Sequence, residues 1–323
     1  MTGPPRVRRR ACRLWAFPLI IFLGCAAASA QQPADAGRAA RPARPDAGEA
    51  EAHLNLGKSY LNEGRFAEAE ASLRRYAEAR PEAEDGVYLL AYALFRQGRA
   101  RDSLAAYERA ARVAPAAADD LKVIGLNFGL LGDYGRSAEY LGKALALDPE
   151  NLEARYYLGR VHQTENRFNE AAREFRAVLA RDPRHVKAQN NLGQALEGQN
   201  DVDGAIAAYR RAIALEGPSE LPWLNLGALL LQRDEVGEAL ALLGRAVALN
   251  PSSALARFQL GKAYLRAGQL EAAERELRAA TEIDPRDRGA RYQLGRLYHR
   301  LGKTELARRE LEISEGLRAG PKQ

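Results

Sequence analysis

The sequence is poor in the residues that most often carry chemistry. It has two cysteines, Cys12 and Cys25, both near the N-terminus, so the remainder of the chain can build no disulfide or thiolate metal site of its own. Its four histidines, His53, His162, His185 and His299, are scattered, and no two stand at the three- or four-residue spacing of a helical metal pair. Aromatic residues make up only 7% of the chain. No alternating strand pattern is visible, and so no glycine-rich phosphate loop follows a strand. Acidic pairs such as Glu68 and Glu70 have an ordinary helix-surface explanation. The expectation is a chain without enzymatic activity, cofactor or metal.

An excess of one charge is also nearly missing. The formal net charge is +6, but Arg6, Arg8, Arg9, Arg10 and Arg13 supply five of those charges, and no acid precedes Asp35. Setting those five aside leaves +1 for the rest of the chain. A near-neutral body has no general electrostatic grip on phosphates, so nucleic acid is not an expected partner.

What is present begins with an address. After the arginines comes an uncharged run, Leu14 to Ala30, ending in Ala28-Ser29-Ala30. A basic start, a short apolar middle and a small-residue end make residues 1–30 a secretory signal peptide, with cleavage expected between Ala30 and Gln31. Phe22-Leu23-Gly24-Cys25 also resembles a bacterial lipobox, in which Cys25 would be lipidated and become the new N-terminus. Soluble release, lipid anchoring through Cys25 and an uncleaved membrane anchor are three open outcomes. All put the body of the chain across the membrane, in the periplasm or cell envelope. Residues 31–49, rich in alanine, proline and arginine without apolar periodicity, read as a flexible linker.

From Ala50 the sequence returns every 34 residues without insertion, giving eight units: 50–83, 84–117, 118–151, 152–185, 186–219, 220–253, 254–287 and 288–321. The seventh position is always aliphatic: Leu56, Leu90, Ile124, Leu158, Leu192, Leu226, Leu260 and Leu294. The eighth is glycine except for Ala91. The twentieth is always alanine or serine, as at Ser103, Ser137 and Ala205. Apolar residues recur at helical spacing in each half-unit, so each unit reads as two helices. Glycine inside a helix costs about 1 kcal/mol relative to alanine. Its recurrence at one phase requires close helix crossing. The fifteenth position holds Gly64, Gly98, Gly132, Asn166, Asn200, Asp234, Gly268 and Gly302, residues that tolerate the positive φ of a helix C-terminus. A proline closes most units, with Pro218 one place late.

This pattern resembles the tetratricopeptide repeat, through Trp223, Leu226, Gly227, Ala239, Ala246 and Pro251 in the sixth unit and Leu260, Gly261, Tyr264, Ala273, Ala280 and Pro285 in the seventh. The resemblance covers residues 50–321 and implies an all-α fold, an α-solenoid wound as a right-handed superhelix of eight helix-turn-helix repeats. Tyr76 departs from it, standing where a small residue is usual. The array has no separate polar capping helix, so Leu306 and Leu311 are expected to be partly exposed, open to an end-to-end contact.

The resemblance further implies that the first helix of each unit lines a concave groove through its second, fifth, sixth, ninth, twelfth and thirteenth positions. Carried over, the sixth position places Asn55, Asn191, Asn225, Gln259 and Gln293 inward, amides able to hydrogen-bond an extended peptide. Leu224 and Phe258, with Leu221, Leu231, Leu255 and Leu265, are expected to form an apolar patch. Tyr88, Tyr92 and Phe95 form an aromatic cluster. Acids at the second position of the first four units (Glu51, Asp85, Asp119, Glu153) oppose Lys262, Arg266, Arg296 and Arg300 in the last two, a polarity suited to orienting a ligand. The places that clamp a C-terminal carboxylate in some family members hold Tyr88, Tyr92, Tyr156 and Arg160, so that clamp is not expected. The functional expectation is a non-catalytic scaffold of the cell envelope that binds an extended or helical segment of a protein partner, such as an assembly factor. The alternative is a regulatory subunit of an envelope enzyme, for instance in polysaccharide synthesis.

Overall fold

A computed structural model describes residues 47–319. The signal segment, Cys25 and the linker as far as Asp46 lie outside the described residues. Among the described residues there are sixteen helices and no strand. The first helices of the units are α1 (Ala47–Asn62), α3 (Glu84–Arg96), α5 (Ala118–Leu130), α7 (Leu152–Thr164), α9 (Val186–Gly198), α11 (Leu221–Gln232), α13 (Ala254–Arg266) and α15 (Arg288–Arg300). The second helices are α2 (Phe66–Ala79), α4 (Ala100–Ala110), α6 (Tyr134–Leu147), α8 (Phe168–Arg181), α10 (Val202–Ala214), α12 (Val236–Leu249), α14 (Leu270–Ile283) and α16 (Thr304–Ala319). α1 starts at Ala47, ahead of Ala50, where the first repeat unit begins in sequence.

Every fifteenth-position residue has positive φ, from +58° at Asn166 to +78° at Gly132, so each hairpin turns back through a left-handed residue. Each helix packs on its sequence neighbours. First helices also touch first helices of adjacent units, as α9 touches α7 and α11, whereas second helices make no comparable contacts with one another. The first helices therefore form the tighter, inner layer of a curved stack.

The eighth-position glycines make room for one particular side chain. A Cβ on Gly159 would lie 2.8 Å from the Phe175 ring, and one on Gly261 would lie 2.7 Å from Leu277 Cγ. The residue at the twenty-fourth position, a large side chain in every unit, seats on the glycine in the seven units that have one. Tyr76 is accommodated by the same kind of exchange: its ring fills the space above Gly86, the third residue of the next unit, where other units have alanine or another larger residue.

Two burial patterns show which way each position points. Seventh-position residues are mostly buried, Leu226 and Leu294 among them, but Leu56, in the first described unit, is 45% exposed. Fifth-position residues such as Leu54, Asn190 and Leu224 are buried, but Tyr292, in the last described unit, is 45% exposed. The seventh position thus faces the previous unit and the fifth faces the next. At the C-terminal end Leu306 is exposed, while Leu311 is half-buried over Gly295.

A polar clasp ties units four, seven and eight to their predecessors. Arg155, Arg257 and Arg291 each donate to a proline carbonyl of the preceding unit (Pro149, Pro251 and Pro285). Each also pairs with a glutamate on its own second helix (Glu174, Glu276 and Glu310), at 3.1, 2.8 and 2.6 Å. In unit six the same two places hold Trp223 and Leu242, an apolar pair.

Candidate functional site

The fifth position's outward aim puts polar groups of neighbouring first helices in register. Asn191 Nδ2 donates to Tyr156 Oη at 3.2 Å, and Asn191 Oδ1 accepts from Asn190 Nδ2 at 3.3 Å. Asn225 Nδ2 donates to Asn190 Oδ1 at 3.0 Å. Tyr156, Asn191, Asn190 and Asn225 form one relay across α7, α9 and α11. Asn191 and Asn225 each spend one amide hydrogen on it and keep another for a ligand. Asn190, buried within the relay, was not among the expected site residues; the Asn190-Asn191 pair in the sequence is its only signal. Gln163 Nε2 donates to Gln194 Oε1 at 3.0 Å and continues the polar track along the same wall.

The structure separates the remaining candidates. Leu224 is 3% exposed, and Leu231 is also buried, so neither belongs to an exposed patch. Leu224 sits at a fifth position and is covered by the next unit. Leu221 and Leu255 are exposed, with Phe258 and Leu265 half-buried between these extremes. Tyr88 is half-buried and its hydroxyl donates to Ala114 O at 2.7 Å, which commits it to holding the loop before α5. Arg96 Nη1 donates to Tyr92 Oη at 2.8 Å, and the Tyr92 and Phe95 rings lie 6.3 Å apart. Asn55 is exposed near the N-terminal end of the array, with no hydrogen bond to its side chain among the described residues. The acids of units three and four are not free: Lys122 Nζ bridges Asp119 and Glu153, at 2.8 Å from each.

Three clefts follow one another along the first helices. The first, of about 370 Å³ between units two and four, is walled by Phe95, Leu126, Leu130, Tyr157 and Val161. Gly129 opens it: a Cβ there would sit 3.2 Å from Ser137 Oγ, a buried hydroxyl with no hydrogen-bond partner among the described residues. The second, of about 520 Å³, is lined by Tyr156, Asn190 and Asn191 of the relay together with Arg160, Lys187 and Leu221. The third, of about 390 Å³ in units six to eight, joins Leu231, Leu265 and Leu297 to Gln232, Gln293, Lys262, Arg266, Arg296 and Arg300.

Gln259 Oε1 accepts from Lys262 Nζ at 3.1 Å, and that ammonium lies 5.4 Å from the centre of the Phe258 ring. Burial first, and the nearby Arg266 second, hold the Lys262 pKa below its ordinary value. His162 is buried in α7, its Nδ1 without a partner among the described residues, and its pKa is pushed down by burial and then by Arg167. Among the described residues no group of three or more histidine, cysteine, aspartate or glutamate side chains is placed to hold a metal ion. No helix among them is long and apolar enough to cross a membrane.

Family models described as tetratricopeptide repeat match residues 130–174, 160–219, 230–289 and 289–312, together more than half of the chain. A model described as bacterial transcriptional activator domain matches residues 6–117, of which the described part is the first two hairpins. No curated protein matches the chain. Among solved structures, a tetratricopeptide repeat protein from Parabacteroides merdae is 16% identical, with a TM-score of 0.62, covering 83% of this chain and 99% of its own. The Cut9-Hcn1 hetero-tetramer of the APC/C is similar with a TM-score of 0.59 at 17% identity, over 86% of this chain and 55% of that one. PilF of Pseudomonas aeruginosa gives 0.55 at 20% identity, over 65% and 96%. At these identities the likeness is one of fold.

Proposed function

The chain belongs to the tetratricopeptide repeat family, a family of protein-interaction scaffolds, and from that premise we propose that it is an exported adaptor of the cell envelope. In this reading its inner wall holds an extended or helical segment of a protein partner, and the complex it serves is assembled on it. The observation that supports the reading is the composition of that wall. Amides of the Tyr156–Asn225 relay, apolar side chains around Gly129 and cations of the last units lie along successive first helices, and they leave hydrogen-bonding and charge capacity unused. The leader sequence supports the compartment.

The test is photo-crosslinking from Leu221, an exposed residue on the rim of the relay cleft, in intact envelopes. A secretion or assembly component captured through the groove is the expected result. A glycosyltransferase would move the reading to the regulatory-subunit alternative, and no captured protein would overturn it. Asn191→Ala with Asn225→Ala removes about 1 kcal/mol per lost amide bond, so capture should weaken by roughly 30-fold with the array still folded. Metabolic labelling with a fatty-acid probe, comparing the native chain with Cys25→Ser, tests lipid anchoring.

A further inference from the structure

Unit five carries the frame of a side-chain seat without the side chain. At the boundary with the preceding unit, units four, seven and eight fill this seat with the arginine of the clasp. Unit six fills it with Trp223, set against Leu242. In unit five both members of the pair are shorter: Gln189 stands for the arginine or tryptophan, and Ala208, 3% exposed, for its partner. Beside this shortened pair a cleft of about 570 Å³ opens between α8 and α10, on the outer, second-helix side of the stack. Gln189 and Leu192 of α9 line it together with Leu179, Pro183 and Leu215.

The groups around the cleft define what fits. Gln189 is 5% exposed, yet its side-chain amide has no hydrogen-bond partner among the described residues, a costly state for a polar group so far from bulk water. Pro183 O stands where Pro149, Pro251 and Pro285 accept from the clasp arginines, and it receives no hydrogen bond among the described residues. In unit six the guanidinium of Arg245 lies 6.0 Å from the centre of the Trp223 ring. Arg211 occupies the same repeat position in unit five and lines the cleft, so the cation is kept and the ring is not. A guanidinium is the wrong occupant. The glutamate that receives it in other units is Ala208 here, and Arg176 and Arg211 border the cleft. The wall also ends on an unusual backbone: Glu216, next to Leu215, has a φ of +51°, the one positive-φ position among the described residues that is neither glycine, asparagine nor aspartate.

We propose that this cleft is a docking seat for a tryptophan side chain of a protein partner, its ring lying on Leu179 and Leu192 beside Arg211 and its indole N–H donating to Gln189 Oε1. The partner's ring takes the place that Trp223 takes in the next unit, so the seat continues an interface the array already makes with itself. It lies on the other side of the stack from the inner wall. The inference therefore goes beyond the adaptor reading and stands independently of it: the array can hold a second partner while its groove is filled.

The experiment titrates the full chain, labelled with nitrogen-15, with N-acetyl-tryptophanamide, N-acetyl-leucinamide and N-acetyl-argininamide, and follows the backbone amides of Gln189, Leu192 and Arg211. The tryptophan compound should shift them with a millimolar Kd and bind about tenfold or more tightly than the leucine compound, while the arginine compound should leave them in place. Gln189→Leu removes the acceptor at similar volume and should weaken the tryptophan compound several-fold. Gln189→Trp with Ala208→Leu installs the unit-six pair and should abolish binding, with a urea midpoint no lower than that of the native chain. Asn225→Ala, in the relay of the inner wall, should leave the affinity within about twofold. Equal binding of the tryptophan and leucine compounds, no shift at the three amides, or unchanged affinity in Gln189→Leu overturns the inference. Binding seen only after Trp15→Ala would assign the seat to the chain's own leader, and binding seen only on dilution would assign it to a second copy; either result overturns the assignment to a partner.

Discussion

Two glycines in helix interiors should respond to the same substitution with opposite signs. Gly193 lies in α9, and a Cβ built on it would sit 2.5, 2.7 and 2.9 Å from three carbons of the Tyr209 ring. Ordinary carbon contacts begin near 3.5 Å, so the ring would have to retreat by about 1 Å. It has nowhere to go. Tyr209 is fully buried, and its hydroxyl donates to Glu197 Oε2 at 2.9 Å. Gly244 lies in α12, where nothing stands within 4 Å of a Cβ. Alanine in place of glycine gains about 1 kcal/mol of helix propensity at either site. At Gly193 overpacking opposes that gain with a cost near the upper end of the ~1–3 kcal/mol range, because the obstructing ring is held at both ends. Gly193→Ala should therefore destabilise the array by about 2 kcal/mol and Gly244→Ala should stabilise it by about 1 kcal/mol. Urea denaturation followed by far-ultraviolet circular dichroism gives both values. Because repeat arrays can unfold unit by unit, amide exchange in α9 and α10 should report the same loss locally. A Gly193→Ala protein as stable as the native one would refute the view that these glycines exist to seat the twenty-fourth side chain.

The clasp and the buried histidine yield further expectations. Arg291→Ala strands Glu310, whose partner lies at 2.6 Å in a part-buried pair, and should cost about 1–3 kcal/mol by urea denaturation. Changing Arg291 to Trp together with Glu310 to Leu, the pair used in unit six, should recover most of that loss. His162 has a folded pKa below its ordinary value, so the unfolded chain takes up a proton first as pH falls. Its contribution is intact above about pH 6.5 and is lost progressively below it, and His162→Leu should flatten the fall of stability as pH drops below about 6.5. Asn127 donates to Ser103 Oγ at 2.9 Å, but its Oδ1 is buried without a partner among the described residues. Asn127→Ala should therefore change stability by less than about 1 kcal/mol in thermal melts, since Ser103 keeps its own bond to Ala91 O.

The 34-residue period, the two helices in each unit and the left-handed turn residues could all be read from the sequence, because each depends on backbone preference and apolar spacing within a few residues. The first-helix cations Lys262, Arg266, Arg296 and Arg300 of units seven and eight were equally visible, as was the row of amides. Tertiary structure alone decided which of these groups remain available. Leu224 and Leu221 are three residues apart on one helix, yet one is covered by the next unit and the other is open to solvent. Asn190 joins Asn191 and Asn225 into a relay only because a fifth-position side chain reaches the sixth position of its neighbour. Asp119 and Glu153 are neutralised by a lysine between them, whereas Lys262, Arg296 and Arg300 have no acid partner among the described residues. A repeat fixes the direction of each side chain, but burial and charge pairing depend on which residue the adjacent unit places opposite it. That information lies between units, 30 or more residues away in sequence, and it becomes a contact only when the helices stack.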